Sequence, residues 1–294
     1  MSIALSTVHE CRGAYREILQ GYTFSKAGGF YVKHFRESDL GFIDTAYNEC
    51  SDEMQGMGVP SQKEKLAFLN SEGYWTPEDE DSFTTASLAV KDAYIYYNKL
   101  IDGEQKENFK KTMIPEQEEN LANIQKERSE LLEPTIETIC DKKLNEMYVY
   151  HALYKDDKLK EPFFSSDEFD DLNYLELADV VREYNHITSR FSERNLKKVG
   201  VNYFFLNSFF MCEDDPVKFY GNNVLELTMY QLNLFSNGKF NKSILMDGEE
   251  PPDQYLEESY ENGLDELVNW YALIANKKQV EHDRQKNSIK RARR

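Results

Sequence analysis

The chain is poor in the residues that staple, coordinate or punctuate a fold. Its four cysteines, Cys11, Cys50, Cys140 and Cys212, lie far apart and form no CxxC pair. That argues against a disulfide framework or a zinc ribbon and fits a reducing cytoplasm. There is no Gly-x-Ser-x-Gly elbow and no Cys–His pairing that would mark a nucleophile. Gly-x-x-x-x-Gly-Lys and Gly-x-Gly-x-x-Gly loops are also missing, and the one Gly-Gly, Gly28-Gly29, sits in a candidate hairpin turn. No apolar run approaches the roughly 18 residues that cross a bilayer. The segment Met1-Ser2-Ile3-Ala4-Leu5-Ser6 lacks the basic region and long apolar core of a signal peptide, so a soluble protein is expected.

Positive charge is scarce as well. There are 35 Lys and Arg against 53 Asp and Glu, a net charge of −18. A main surface for nucleic acid or membrane is disfavoured, because phosphates would be repelled. The exception is the segment 277–294, where eight basic residues face two acidic ones; it carries +6 and leaves −24 on residues 1–276. What the chain does have is apolar bulk: 40% hydrophobic residues, with 19 Tyr and 18 Phe. That is ample for a core despite a mean hydropathy of −0.70, so wholesale disorder is not expected. A length of 294 residues allows one large domain or two of ordinary size.

The periodicity predicts a mainly α fold, a helical bundle with a central helical hairpin and a small N-terminal β-hairpin. Val8 to Leu19 reads as a helix stopped by Gly21. Tyr22–Ser25 and Phe30–Phe35 flank the Gly-Gly turn as two short strands. Ser38 is placed as the cap of a helix from Asp39 to about Gln55, and Ser61 as the cap of a shorter one stopped at Gly73. Thr76-Pro77-Glu78-Asp79-Glu80 is a strong helix start: a capping hydroxyl, a proline where a missing donor is harmless, and acids at the positive helix end. That helix is expected to end at Asp102-Gly103, with a second starting at Pro115. In the second, Leu121, Ile124, Arg128 and Leu131 repeat at steps of three and four, a coiled-coil-like seam with one charged interruption. Pro134 separates it from a third helix carrying Ile136 to Tyr154.

Beyond a charged linker at 155–160 the chain is more aromatic. Ser165 or Ser166 is expected to cap a short helix, followed by one over Leu175–Arg190. Another helix is expected from Ser192 through Val201–Met211, the most buried of this half because it is apolar on nearly all sides. Leu225 to Phe235 is read as a helix stopped at Asn237-Gly238, and Leu264 to about Ile289 as the last. The resulting divisions are 1–75 with the β-hairpin, 76–158 with the helical hairpin, 159–276 as an aromatic helical domain, and the basic tail 277–294.

Candidate chemistry is thin. Glu183 and His186 share a helix face at the Glu-x-x-His spacing of bundle di-iron sites, but no second pair exists among the other histidines. The acidic clusters at 78–81, 213–215 and 249–250 lack the alternating oxygen spacing of a calcium loop and read as helix-start or solvated acids. The aromatic run 203–210 is a core segment before it is a base-stacking platform. No catalytic residue, metal ligand or cofactor is assigned. The feature suited to a polyanion or an acidic protein face is the tail, with Lys286, Lys290, Arg291, Arg293 and Arg294 as candidate partner-binding residues.

Several stretches form a pattern in order along the chain. They are Phe30-Tyr31-Val32-Lys33-His34, Trp75 to Glu80, Glu127-Arg128-Ser129-Glu130-Leu131-Leu132-Glu133-Pro134-Thr135-Ile136-Glu137, Phe219-Tyr220-Gly221, and Leu227 to Leu232. This order resembles acidic helical proteins encoded among the virion and tail-assembly genes of tailed bacteriophages, over roughly Tyr22 to Leu245. The resemblance implies a non-enzymatic structural component or assembly chaperone for tail, baseplate or virion. Its partners would be other virion or tail-assembly proteins, or copies of itself. Nucleic acid would be reached only through the basic tail, and the place of action would be the host cytoplasm or the particle. Two other classes compete: an acidic DNA mimic, and a helical-bundle metalloenzyme using Glu183 and His186.

Overall fold

A computed structural model describes the backbone of residues 4–100, 103–257 and 263–292; the side chains of 98–99, 103–104, 106 and 279–292 lie outside that description. The fold is mainly α, with a central helical hairpin and a small antiparallel sheet.

Side-chain caps decide where most elements begin. Helix α1 (Val8–Gln20) starts with a capping box between Thr7 and Glu10, and Gly21 ends it at φ 78°, a left-handed conformation open to glycine. Strands β1 (Tyr22–Ser25) and β2 (Phe30–Lys33) form the predicted hairpin, with Thr23 opposite Val32. Asp39 is used at the start of a 3-10 turn, Glu37–Gly41, where it accepts from the Arg36 N–H, so α2 (Phe42–Gly56) begins later than Ser38 suggested. Ser61 and Glu64 box the start of α3 (Gln62–Glu72). Thr76 and Asp79 box α4 (Pro77–Lys99), with Pro77 in its first turn. Next, α5 (Gly103–Leu132) is one helix of 30 residues, and Pro115 lies inside it rather than starting it. Proline removes one backbone donor, and this stretch is exposed, where water can take the freed carbonyl.

After a cis Glu133–Pro134 peptide comes α6 (Ile136–Ala152), which runs into β3 (Leu153–Tyr154). This third strand pairs with β2, Val32 opposite Leu153. Two residues are too few to show a period-two pattern, so it was not expected. Ser165 caps α7 (Ser166–Asp170) and Asn173 caps α8 (Tyr174–Ser189). The helix expected from Ser192 onward is two, α9 (Glu193–Gly200) and α10 (Tyr203–Phe210). Asn202 is extended, with ψ 141°, and its side-chain amide donates to the Lys198 carbonyl at 2.7 Å, which closes α9. Burial is also the reverse of expectation: five residues of α9 are buried against three of α10, where Tyr203 is half exposed.

The last elements are α11 (Pro216–Tyr220), a 3-10 turn at Val224–Glu226, α12 (Met229–Met246), a 3-10 turn at Asp253–Leu256, and α13 (Gly263–Ala292). The start of α12 is set by the Thr228–Gln231 capping box, not at Leu225. Asn237-Gly238 does not stop it. A Cβ on Gly238 would lie 2.7 Å from the Phe209 ring, so glycine here admits an aromatic side chain against the helix.

The chain divides into two compact units, each built from segments distant in sequence. The first combines residues 1–43 with 145–275, and the second combines 44–144 with 276–294. In the first, α1, α9 and α12 pack together around Ile18, Leu196, Val199 and Leu234. Polar side chains fasten this core: Gln231 donates to the Ile18 carbonyl at 2.9 Å, and Asn241 to that of Gly200 at 2.8 Å. Lys198, only 2% exposed, donates to the Leu5 carbonyl at 2.7 Å and to Asp265 at 2.8 Å. Asp265 also takes the Arg194 guanidinium, and these cations hold its carboxyl below the usual range against the opposing effect of burial. In the second unit, Cys50 and Cys140 pack with Ile136, while Leu69, Trp75 and Leu132 form a cluster at the base of α4 and α5.

Candidate functional site

The second unit is organised on the α4–α5 hairpin. Contacts pair Glu80 with Arg128, Tyr94 with Glu118 and Tyr96 with Phe109, so the helices run in opposite directions. On α4, Phe83, Ala86, Val90, Ala93 and Tyr97 turn away from solvent at alternating steps of three and four. On α5 the matching line is Ile114, Gln117, Leu121, Ile124, Arg128 and Leu131. Steps of three and four keep one stripe facing a neighbouring helix, and the two alanines let the backbones come close.

Arg128, the charged interruption in that seam, is built in. Its Nε donates to Glu80 Oε2 at 2.9 Å and its Nη2 to Oε1 at 2.8 Å, a two-pronged pairing. The guanidinium lies 4.7 Å from the centre of the Phe83 ring. Trp75 Nε1 also donates to Glu80 at 2.8 Å. The Arg128 hydrogen bond holds the Glu80 carboxyl below the ordinary glutamate range. Arginine serves where a leucine would fit because its stem packs in the seam while its head reaches the acidic start of α4.

The opposite face of α4 is unlike that of α5. Leu88 is 52% exposed and Ile95 50%, two helical turns apart on the line facing away from the seam. Tyr94, Tyr96 and Met113 are also exposed. The outward positions of α5 include Glu116, Glu119, Asn123, Lys126 and Glu130, all polar. Paired outward apolar side chains on the polar surface of this hairpin are a surface candidate for a partner, although Tyr174, Leu175, Met211 and Leu225 of the first unit are individually more exposed.

The residues proposed from sequence fare unevenly. Lys286, Lys290 and Arg291 fall on the backbone of α13 with side chains outside the described set, and Arg293 and Arg294 lie outside the described residues. Glu183 accepts from Ser25 Oγ at 2.6 Å, whereas His186 is exposed, so the pair is not joined. Asp79 caps α4, Asp214 pairs with Lys242, and Asp215 caps α11. Among the described residues no three His, Cys, Asp or Glu side chains converge as metal ligands. Phe205 and Phe209 of the aromatic run are core residues. Among the described residues no helix is long and apolar enough to cross a membrane.

A buried polar chain in the first unit was not foreseen. Arg190 pairs with Glu17 at 2.9 Å, and Glu17 accepts from the Thr23 hydroxyl at 3.0 Å. Thr23 Oγ1 is 3.0 Å from His34 Nε2. Since the one hydroxyl proton goes to Glu17, Nε2 must carry the imidazole proton. Among the described residues His34 Nδ1 has no hydrogen-bond partner, and the ring lies 4.7 Å from Phe191 and 5.0 Å from Tyr230. Burial, with a smaller push from Arg190, lowers its pKa to about 3. This is a neutral core histidine. Four residues scattered over 173 positions carry no local motif, so sequence spacing could not reveal them.

Compared with protein-family models, curated proteins and solved structures, the chain matches none.

Proposed function

We propose that this is a non-enzymatic protein of tailed bacteriophages, acting by protein–protein contact during tail, baseplate or virion assembly. The observation that carries the reading is the α4–α5 hairpin, whose charged surface is interrupted by the outward Leu88 and Ile95. The −24 charge on residues 1–276 supports it, since an acidic body favours basic partner surfaces and opposes self-aggregation. The resemblance of its ordered sequence stretches to acidic helical assembly proteins is in keeping with it. The protein works in the host cytoplasm while particles form.

The test is a stop codon in its reading frame within a phage genome that carries it, with particles counted and imaged by negative stain. Unjoined or incomplete particles are expected. Full yields of complete, infectious particles would overturn the proposal. Mass spectrometry of wild-type particles then separates a retained component from a transient chaperone.

A further inference from the structure

The outward line of α4 is self-complementary. Leu88 and Ile95 bracket Lys91 and Asp92, all four are exposed, and neither charge forms an ion pair among the described residues. We propose that α4 pairs antiparallel with α4 of a second copy, about a two-fold axis passing between Lys91 and Asp92. In that arrangement Leu88 of each copy meets Ile95 of the other, and Lys91 of each meets Asp92 of the other. A parallel pairing in register would set Lys91 on Lys91 and Asp92 on Asp92, so the charges select the antiparallel form. A two-fold axis makes each contact occur twice, so one favourable ion pair becomes two.

Two apolar side chains per copy are little beside the roughly 800 Å² per partner of a stable complex, which makes the dimer weak and reversible. Such a dimer suits a protein that must exchange partners. The pairing itself depends only on the geometry of α4 and not on the assembly function.

Sedimentation equilibrium of the full chain over about 1–200 μM reads it directly. The mean mass is expected to rise from 34.5 kDa toward twice that value with concentration. K91E and D92K each place like charges opposite one another and are expected to weaken the dimer at least fivefold. K91D/D92K restores opposite charges and is expected to return Kd to within about twofold of wild type. L88E/I95E is expected to remain monomeric. All four positions are exposed, so circular dichroism should show unchanged helicity. A mass of 34.5 kDa at every concentration would overturn the proposal. So would a dimer indifferent to both single reversals, which would lie on another face, or a double variant that fails to restore it.

Discussion

His34 and Lys198 are both almost wholly buried, and what separates them is the partners each finds. Lys198 is compensated by the Leu5 carbonyl and Asp265, so its replacement strands partners that were satisfied. Lys198→Met is expected to lower stability by about 2–3 kcal/mol, against less than about 1 for exposed Arg194→Ala on the same carboxylate. Urea denaturation compares the two. His34 is neutral in the fold, and a second proton on Nδ1 would find no acceptor among the described residues. Because its folded pKa is about 3 and its unfolded value near 6.5, there is no penalty above about pH 6.5. As pH falls below that, the unfolded chain takes up a proton that the fold refuses, and stability declines by up to about 1.4 kcal/mol per unit. Unfolding at pH 7, 6 and 5 should show this slope, reduced in His34→Phe. At Gly238 two effects compete: alanine favours a helix by about 1 kcal/mol, but its Cβ would strike the Phe209 ring. Overpacking of about 1–3 kcal/mol should win, so Gly238→Ala is expected to melt earlier by thermal denaturation. Of these three positions only Gly238 stood out in the sequence, and as a helix stop. The distant partners that define each residue's role were invisible there.

The helix starts were legible because capping is local chemistry, a side chain bonding a backbone three residues away. Thr76–Asp79, Ser61–Glu64 and the Ser165 cap are where their sequences indicate. What misled is chemistry set by tertiary neighbours. Val201–Asn202 is apolar enough to continue a helix, but Asn202 turns its amide to Lys198 and breaks it. The seam of α5 was readable at its period, while the role of Arg128 needed a partner 48 positions away, Glu80. A double-mutant cycle with Arg128→Leu and Glu80→Leu should return a coupling of about 1–3 kcal/mol, because the pair is bidentate and partly buried. A coupling below about 0.5 kcal/mol would mean that the leucine expected from the heptad pattern serves equally well.

For the whole molecule, composition announced a helical, acidic, well-cored chain, and the fold agrees. It did not announce two units interleaved in sequence, 1–43 with 145–275 and 44–144 with 276–294. Interleaving leaves no linker whose composition could mark it. The outward face of α4 was likewise hidden, because the segment 77–97 has apolar residues on two sides and only the position of α5 tells which side is spare. The central proposal is that the chain acts through that spare face. Under the proposed assembly function, complementation measures it: a phage deleted for this chain is supplied in trans with wild-type protein or with L88E/I95E, at matched expression and helicity, and infectious particles are counted. The wild type is predicted to restore the yield and L88E/I95E to fall at least tenfold short. Equal restoration by both would contradict the account.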